Sequence, residues 1–153
     1  MAAPRELFQP PSPGQCAPRR DSPVTAPDLL AKARRAATSA RLLLEAGDAD
    51  GACNRAYYAM FDAARAALVA AGATADGEPA RTHGGLIAAF GLHLVKTGQV
   101  PVALGKVLNR AAEIRLIADY KGDPVGPEHA LWVVEQAETF VAAMEAWLNA
   151  ASR

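Results

Sequence analysis

Glycine and proline punctuate this chain at intervals that suit helices. Pro27, Gly47, Gly72, Gly98 with Pro101, Gly122 with Pro124, and Pro127 separate longer stretches whose apolar residues are mainly Ala and Leu. Few β-branched runs occur in those stretches, so intrinsic propensity favours helix over strand. Half the residues are hydrophobic (51%), enough for a real core. A chain of 153 residues falls within the about 100–200 residues of a single domain.

Five helical segments follow from the local signals. Asp28 comes directly after Pro27, a favourable helix start, and Leu29, Leu30, Ala33, Ala37, Ala40 and Leu44 recur at helical spacing up to Gly47. Asp48 or Asp50 can cap a second helix that stops near Gly72, and residues 73–80, with Gly77 and Pro79, read as a loop. Thr82 can cap a third helix, Leu86 to Val95, ending around Gly98. Pro101 starts a fourth, through Leu104, Val107, Leu108, Ala111 and Ile114, which ends before Gly122. Pro127 starts a fifth, with Leu131, Val134, Val141, Met144 and Leu148 as its buried stripe. No strand-like alternation and no internal repeat is present. Short connections make neighbours antiparallel, so the expected fold is all-α: an up-and-down antiparallel bundle of about five helices over residues 27–151. Residues 1–26 hold six prolines (Pro4, Pro10, Pro11, Pro13, Pro18, Pro23) and no apolar period, which predicts a disordered tail.

Charge narrows the function classes. Sixteen basic residues balance sixteen acidic ones, which argues against a general nucleic-acid coat and leaves room only for a local basic patch. The distribution is uneven: residues 28–45 carry Lys32, Arg34, Arg35 and Arg41, and residues 128–149 carry Glu128, Glu135, Glu138 and Glu145. These read as complementary solvated helix faces. Cys16 and Cys53 give neither a disulfide framework nor metal spacing, which points to reducing cytoplasm. No stretch approaches the roughly 20 apolar residues of a membrane span, and the N-terminus does not read as a secretory signal.

Two places hold the unusual residues. Asn54-Arg55-Ala56-Tyr57-Tyr58-Ala59-Met60-Phe61-Asp62-Ala63-Ala64-Arg65 packs three aromatics onto one helix. At about 100° per residue, Tyr57, Phe61, Ala64 and Leu68 form a core stripe, with Asn54, Tyr58, Asp62 and Arg65 along its edge. Asn is a poor mid-helix residue and Asn54 needs a reason. In the second place, Arg115 and Asp119 share a face of the fourth helix, Tyr120 follows, and Asn109-Arg110 sits little more than a turn upstream. An i,i+4 pair alone is worth about 0.2–0.5 kcal/mol. His83, His93 and His129 have no carboxylate at ligand spacing, so no metal site is expected. No phosphate-cradling glycine loop and no Ser-His-Asp or Cys-His arrangement is present. His83, at a helix start, is the histidine retained as a participant.

Taken in order, Asn54–Phe61, Thr82-His83-Gly84-Gly85-Leu86-Ile87-Ala88-Ala89-Phe90, Leu108-Asn109-Arg110, and Arg115 with Ala118-Asp119-Tyr120 resemble the HEPN superfamily (higher eukaryotes and prokaryotes nucleotide-binding) over about residues 28–150. The resemblance implies a helical bundle that dimerises with its active site at the dimer face. It also implies metal-independent ribonuclease activity without a cofactor, and a partner nucleotidyltransferase antitoxin able to adenylylate a Tyr. The family motif is an Arg followed after four to six residues by His. Arg115 matches the Arg; Asp119 and Tyr120 stand where the His would be. RNA cleavage without metal favours a group titrating near neutrality, whereas a carboxyl one turn from an Arg is held charged and donates poorly. The candidates are therefore Arg115, Asp119 and Tyr120 for catalysis, and Asn54, Tyr58, Arg110 and His83 for nucleotide or RNA contact. The arrangement requires the end of the fourth helix to meet the Asn54–Tyr58 edge of the second. The alternative is a non-catalytic module that binds a nucleotide or the nucleotidyltransferase.

Overall fold

Side-chain caps and reversed-hand turns set the boundaries of the helices. The computed structural model describes residues 24–73, 82–122 and 124–153. Its elements are α1 (Ala26–Glu45), α2 (Ala49–Ala70), α3 (His83–Phe90), α4 (Val102–Lys121) and α5 (Pro127–Ala151), with one π-helical turn, Gly91–Val95, continuing α3. Thr25, Asp48 and Thr82 each accept a hydrogen bond from a first-turn amide, those of Asp28, Gly51 and Gly85. Each bond satisfies a donor that the helix start leaves without a partner. At the C-termini of α1 and α2, Gly47 and Gly72 take φ of 85° and 68°. That conformation lets the next amides, Asp48 and Ala73, reach back to Leu43 and Leu68 carbonyls at 2.9 and 3.0 Å.

The expected all-α, up-and-down antiparallel bundle is what these helices form. α2 is its centre: from residue 51 to 69 no position is exposed, as befits a helix covered on all sides. α1 and α5 pack along one side of it, while α3 and α4 lie on the other. Alanines are numerous among the buried residues of both α1 and α2, with Ala33, Ala36 and Ala40 of the first and Ala52, Ala59 and Ala63 of the second all at 0% exposure. Their small size lets the two backbones approach closely. Larger side chains fill the remaining space, and Phe90 meets Phe140 with ring centroids 5.6 Å apart, tying α3 to α5.

The basic face of α1 and the acidic face of α5 meet each other. Arg34 pairs with Glu145 and Arg41 with Glu138. Lys32 and Arg65 lie 3.7 and 3.5 Å from Asp62, which is only 2% exposed. Two sequence expectations shift. The buried stripe of α5 consists of Ala130, Val133, Val134, Ala137, Phe140, Val141 and Met144, while Leu131 is 42% exposed. Leu131 lies about 120° around the helix from the centre of that stripe. The third helix opens at His83, three residues before Leu86, and passes into the π turn after Phe90. The bundle begins at Ala26, which is itself buried. The Pro-rich tail through residue 23 and most of the 73–80 loop lie outside the described residues. No helix among the described residues is long and apolar enough to cross a membrane.

Truncating Phe140 to Ala is expected to destabilise the bundle by about 3–5 kcal/mol, read as a lower urea midpoint. Arg34→Ala, which removes a partly exposed pair, is expected to cost less than about 1 kcal/mol in the same assay.

Candidate functional site

Three helices converge on one aromatic cup. α2 brings Tyr57, Tyr58 and Phe61, α3 brings His83 at its first position, and α4 brings Arg115. Helical spacing explains the first set: Tyr57 and Phe61 stack one above the other facing inward, and Tyr58 turns toward the edge. The Thr82 cap starts α3 so that its first side chain sits over these rings. His83 lies 5.3, 5.8 and 5.0 Å, centroid to centroid, from Tyr57, Tyr58 and Phe61. Its Nδ1 is 2.8 Å from the Tyr57 hydroxyl, and its Nε2 is 3.5 Å from an Arg115 guanidinium nitrogen. The Arg115 guanidinium carbon is 5.2 Å from the Tyr57 ring centroid and 5.3 Å from that of Tyr58. At these distances each ring attracts the cation by about 0.5–2 kcal/mol. A second guanidinium, Arg65, stands over the Phe61 ring, 5.8 Å from its centroid.

Burial and the cation set the protonation states. Desolvation pushes the Tyr57 phenol up to about 12; nearby Arg115 opposes this and Tyr58 adds to it. Tyr57 therefore keeps its proton at neutral pH. Desolvation, and then the Arg115 charge, holds His83 below the ordinary imidazole value, so the ring is neutral at pH 7. Burial also lifts the Cys53 thiol to about 11, which leaves it a poor nucleophile.

Beside the cup, Arg115 and Asn54 line one cleft of about 280 Å³ together with Asp50, Gly51, Cys53 and Ala118. One Asp50 oxygen accepts the Val125 amide at 2.8 Å, fastening the α4–α5 connection to the start of α2. The end of α4 thus meets the Asn54–Tyr58 edge of α2. Arg110 does not join it: it pairs with Glu113 at 3.1 Å and lines a separate cleft with Ile114, Ile117, Val125 and His129. It lies about 140° around α4 from Arg115. Asn109 turns back onto its own helix, donating to the Gly105 carbonyl at 2.9 Å. Asp119 and Tyr120 occupy the turn after Arg115, but their side chains lie outside the described residues. Among the described residues, no three His, Cys, Asp or Glu side chains gather to hold a metal ion.

Sequence reasoning assigned Tyr57 to the core alone. It is 1% exposed, yet its hydroxyl anchors His83. The profile of the HEPN domain family matches residues 26–147. The chain belongs to the HEPN-domain family. A "UPF0332 protein" of Thermotoga maritima is 38% identical over 116 residues, covering 74% of this chain and 83% of its own. The "UPF0332 protein glr0978" of Gloeobacter violaceus is 35% identical over 95 residues (62% and 71%). The "Putative toxin MJ0605" of Methanocaldococcus jannaschii is 34% identical over 104 residues (68% and 74%). In this HEPN domain the imidazole beside Arg115 comes from α3, not from the helix that carries the Arg.

Replacing Arg115 by Gln removes one of the two causes that depress His83. The imidazole midpoint, followed by NMR, is expected to rise toward about 6.5 and stop short of it, because burial persists. An unmoved midpoint would mean that the guanidinium does not face the ring.

Proposed function

We propose that this HEPN domain is the toxin-like member of a toxin–antitoxin pair and a metal-independent endoribonuclease that acts as a homodimer. The observation that carries this reading is the Arg115 guanidinium, held over the Tyr57 and Tyr58 rings next to a neutral imidazole and opening on the cleft it shares with Asn54. A guanidinium so placed can offer paired N–H donors to an RNA phosphate and stabilise the charge that grows on it during cleavage. Tyr58 supplies a half-buried aromatic edge for base contact. The name of the M. jannaschii relative supports the toxin role, and the partner in this reading is a nucleotidyltransferase antitoxin. Leu116 and Ile117, which follow Arg115 in sequence, are 49% and 48% exposed. Apolar side chains left open on the outer faces of α4 support an interface with a second copy.

A second reading, a non-catalytic module that binds a nucleotide or the nucleotidyltransferase, is favoured by Asp119 standing where the family motif has His.

RNA incubated with the purified protein in EDTA is expected to be degraded. Arg115→Ala is expected to cut the rate by about 100-fold or more without changing the helical circular dichroism. Intact RNA after prolonged incubation at several pH values would remove the enzyme and leave the binding module.

Light scattering is expected to report a dimer, and Ile117→Glu a monomer. An unaltered dimer mass in that variant would place the interface elsewhere.

A further inference from the structure

We infer that His83 is the proton acceptor of this site: its Nε2 takes the proton of a ribose 2′-hydroxyl while Arg115 holds the adjoining phosphate. This rests on the ribonuclease reading above and names the group that replaces the motif histidine. The tautomer follows from the two neighbours. A guanidinium has only donors, so the Nε2 that faces Arg115 at 3.5 Å presents its lone pair. The ring proton then sits on Nδ1 and is donated to the Tyr57 hydroxyl at 2.8 Å. Tyr57 is buried in the core and keeps its own proton, so it is a positioning residue that fixes both the tautomer and the direction of the lone pair.

Among the described side chains, the titratable or charged groups facing the ring are Tyr57 and Tyr58 from α2 and Arg115 from α4. Burial and the Arg115 charge keep the imidazole neutral, the form a base needs. A phosphate changes this in two ways. It draws the Arg115 N–H groups onto its own oxygens, which uncovers Nε2, and its negative charge stabilises the imidazolium once formed. Anion binding therefore readies the base.

The step balances without a metal or an oxidant. Nε2 accepts the 2′-hydroxyl proton, the 2′ oxygen forms a bond to phosphorus, and the bond from phosphorus to the 5′ oxygen breaks. That oxygen takes a proton from water, and the imidazolium returns its proton to solvent. The products are a 2′,3′-cyclic phosphate end and a 5′-hydroxyl end, with no net consumption of water.

The test uses full-length protein, an oligoribonucleotide and EDTA, with product ends identified by mass spectrometry. His83→Gln is expected to slow single-turnover cleavage by about 100-fold or more, a far larger loss than its loss of affinity for an uncleavable 2′-deoxy oligonucleotide. The acidic limb of the kcat/KM profile, which in wild type lies below the ordinary imidazole value, is expected to vanish in that variant. Free imidazole is expected to restore cleavage to His83→Gly, which a merely structural histidine would not allow. Tyr57→Phe, which keeps the ring and the packing, is expected to cleave more slowly and to move the limb to lower pH. His83→Gln cleaving at the wild-type rate with the limb intact would overturn the assignment and leave the ribonuclease standing. Wild-type protein that leaves RNA whole would overturn the ribonuclease and this assignment together.

Discussion

The rest of the structure depends on the enclosure of α2. A helix with no exposed position from residue 51 to 69 must be covered on every side, and the other four helices are placed by that demand. Alanine on most of its inward positions lets α1 lie close, and the larger residues fill what remains. Neighbouring residues of this helix then serve different ends. Tyr57 fills core space and anchors a histidine, while Tyr58, one position on, forms the wall of the site. The proposed site is thus built on the most enclosed element of the bundle, which favours precise placement of the groups it carries.

The electrostatics of the cup follow from the same packing. Its walls are rings, which attract a cation by their faces and withhold water. Burial keeps Tyr57 protonated and, with Arg115, keeps His83 neutral. Arg115 is therefore the charge presented by the Tyr57–Tyr58–His83 group. Asp50, the carboxylate lining the adjoining cleft, directs one oxygen to the Val125 amide. Small anionic groups fit such a place better than cations do.

Most of the bundle was legible because its signals are local. Asp48 and Thr82 cap where the sequence places them, Pro127 opens α5, and Gly47 and Gly72 close α1 and α2. The register of α5 was harder. Where alanine fills many core positions, a stripe drawn from the large residues alone picks up Leu131 and passes over Phe140. The approach of Arg115 to the Asn54–Tyr58 edge was anticipated. Its dependence on Tyr57 was not, because the Tyr57–His83 bond spans 26 residues and exists only once α3 has docked on α2. No periodicity encodes such a contact. Arg110 shows the opposite limit: near to Arg115 in sequence, it is carried to another side of α4 by helical rotation.

The seam between α1 and α5 bears on how any polyanion meets this surface. Arg34 and Arg41 are opposed by Glu145 and Glu138 of α5, and Lys32 by Asp62 of α2, so these three cations carry little field outward. Few counterions condense on such a face or leave it, and encounter with a nucleic acid is correspondingly short-ranged. Under the proposed function, recognition is then governed by the shape of one cleft, with a shallow dependence on ionic strength.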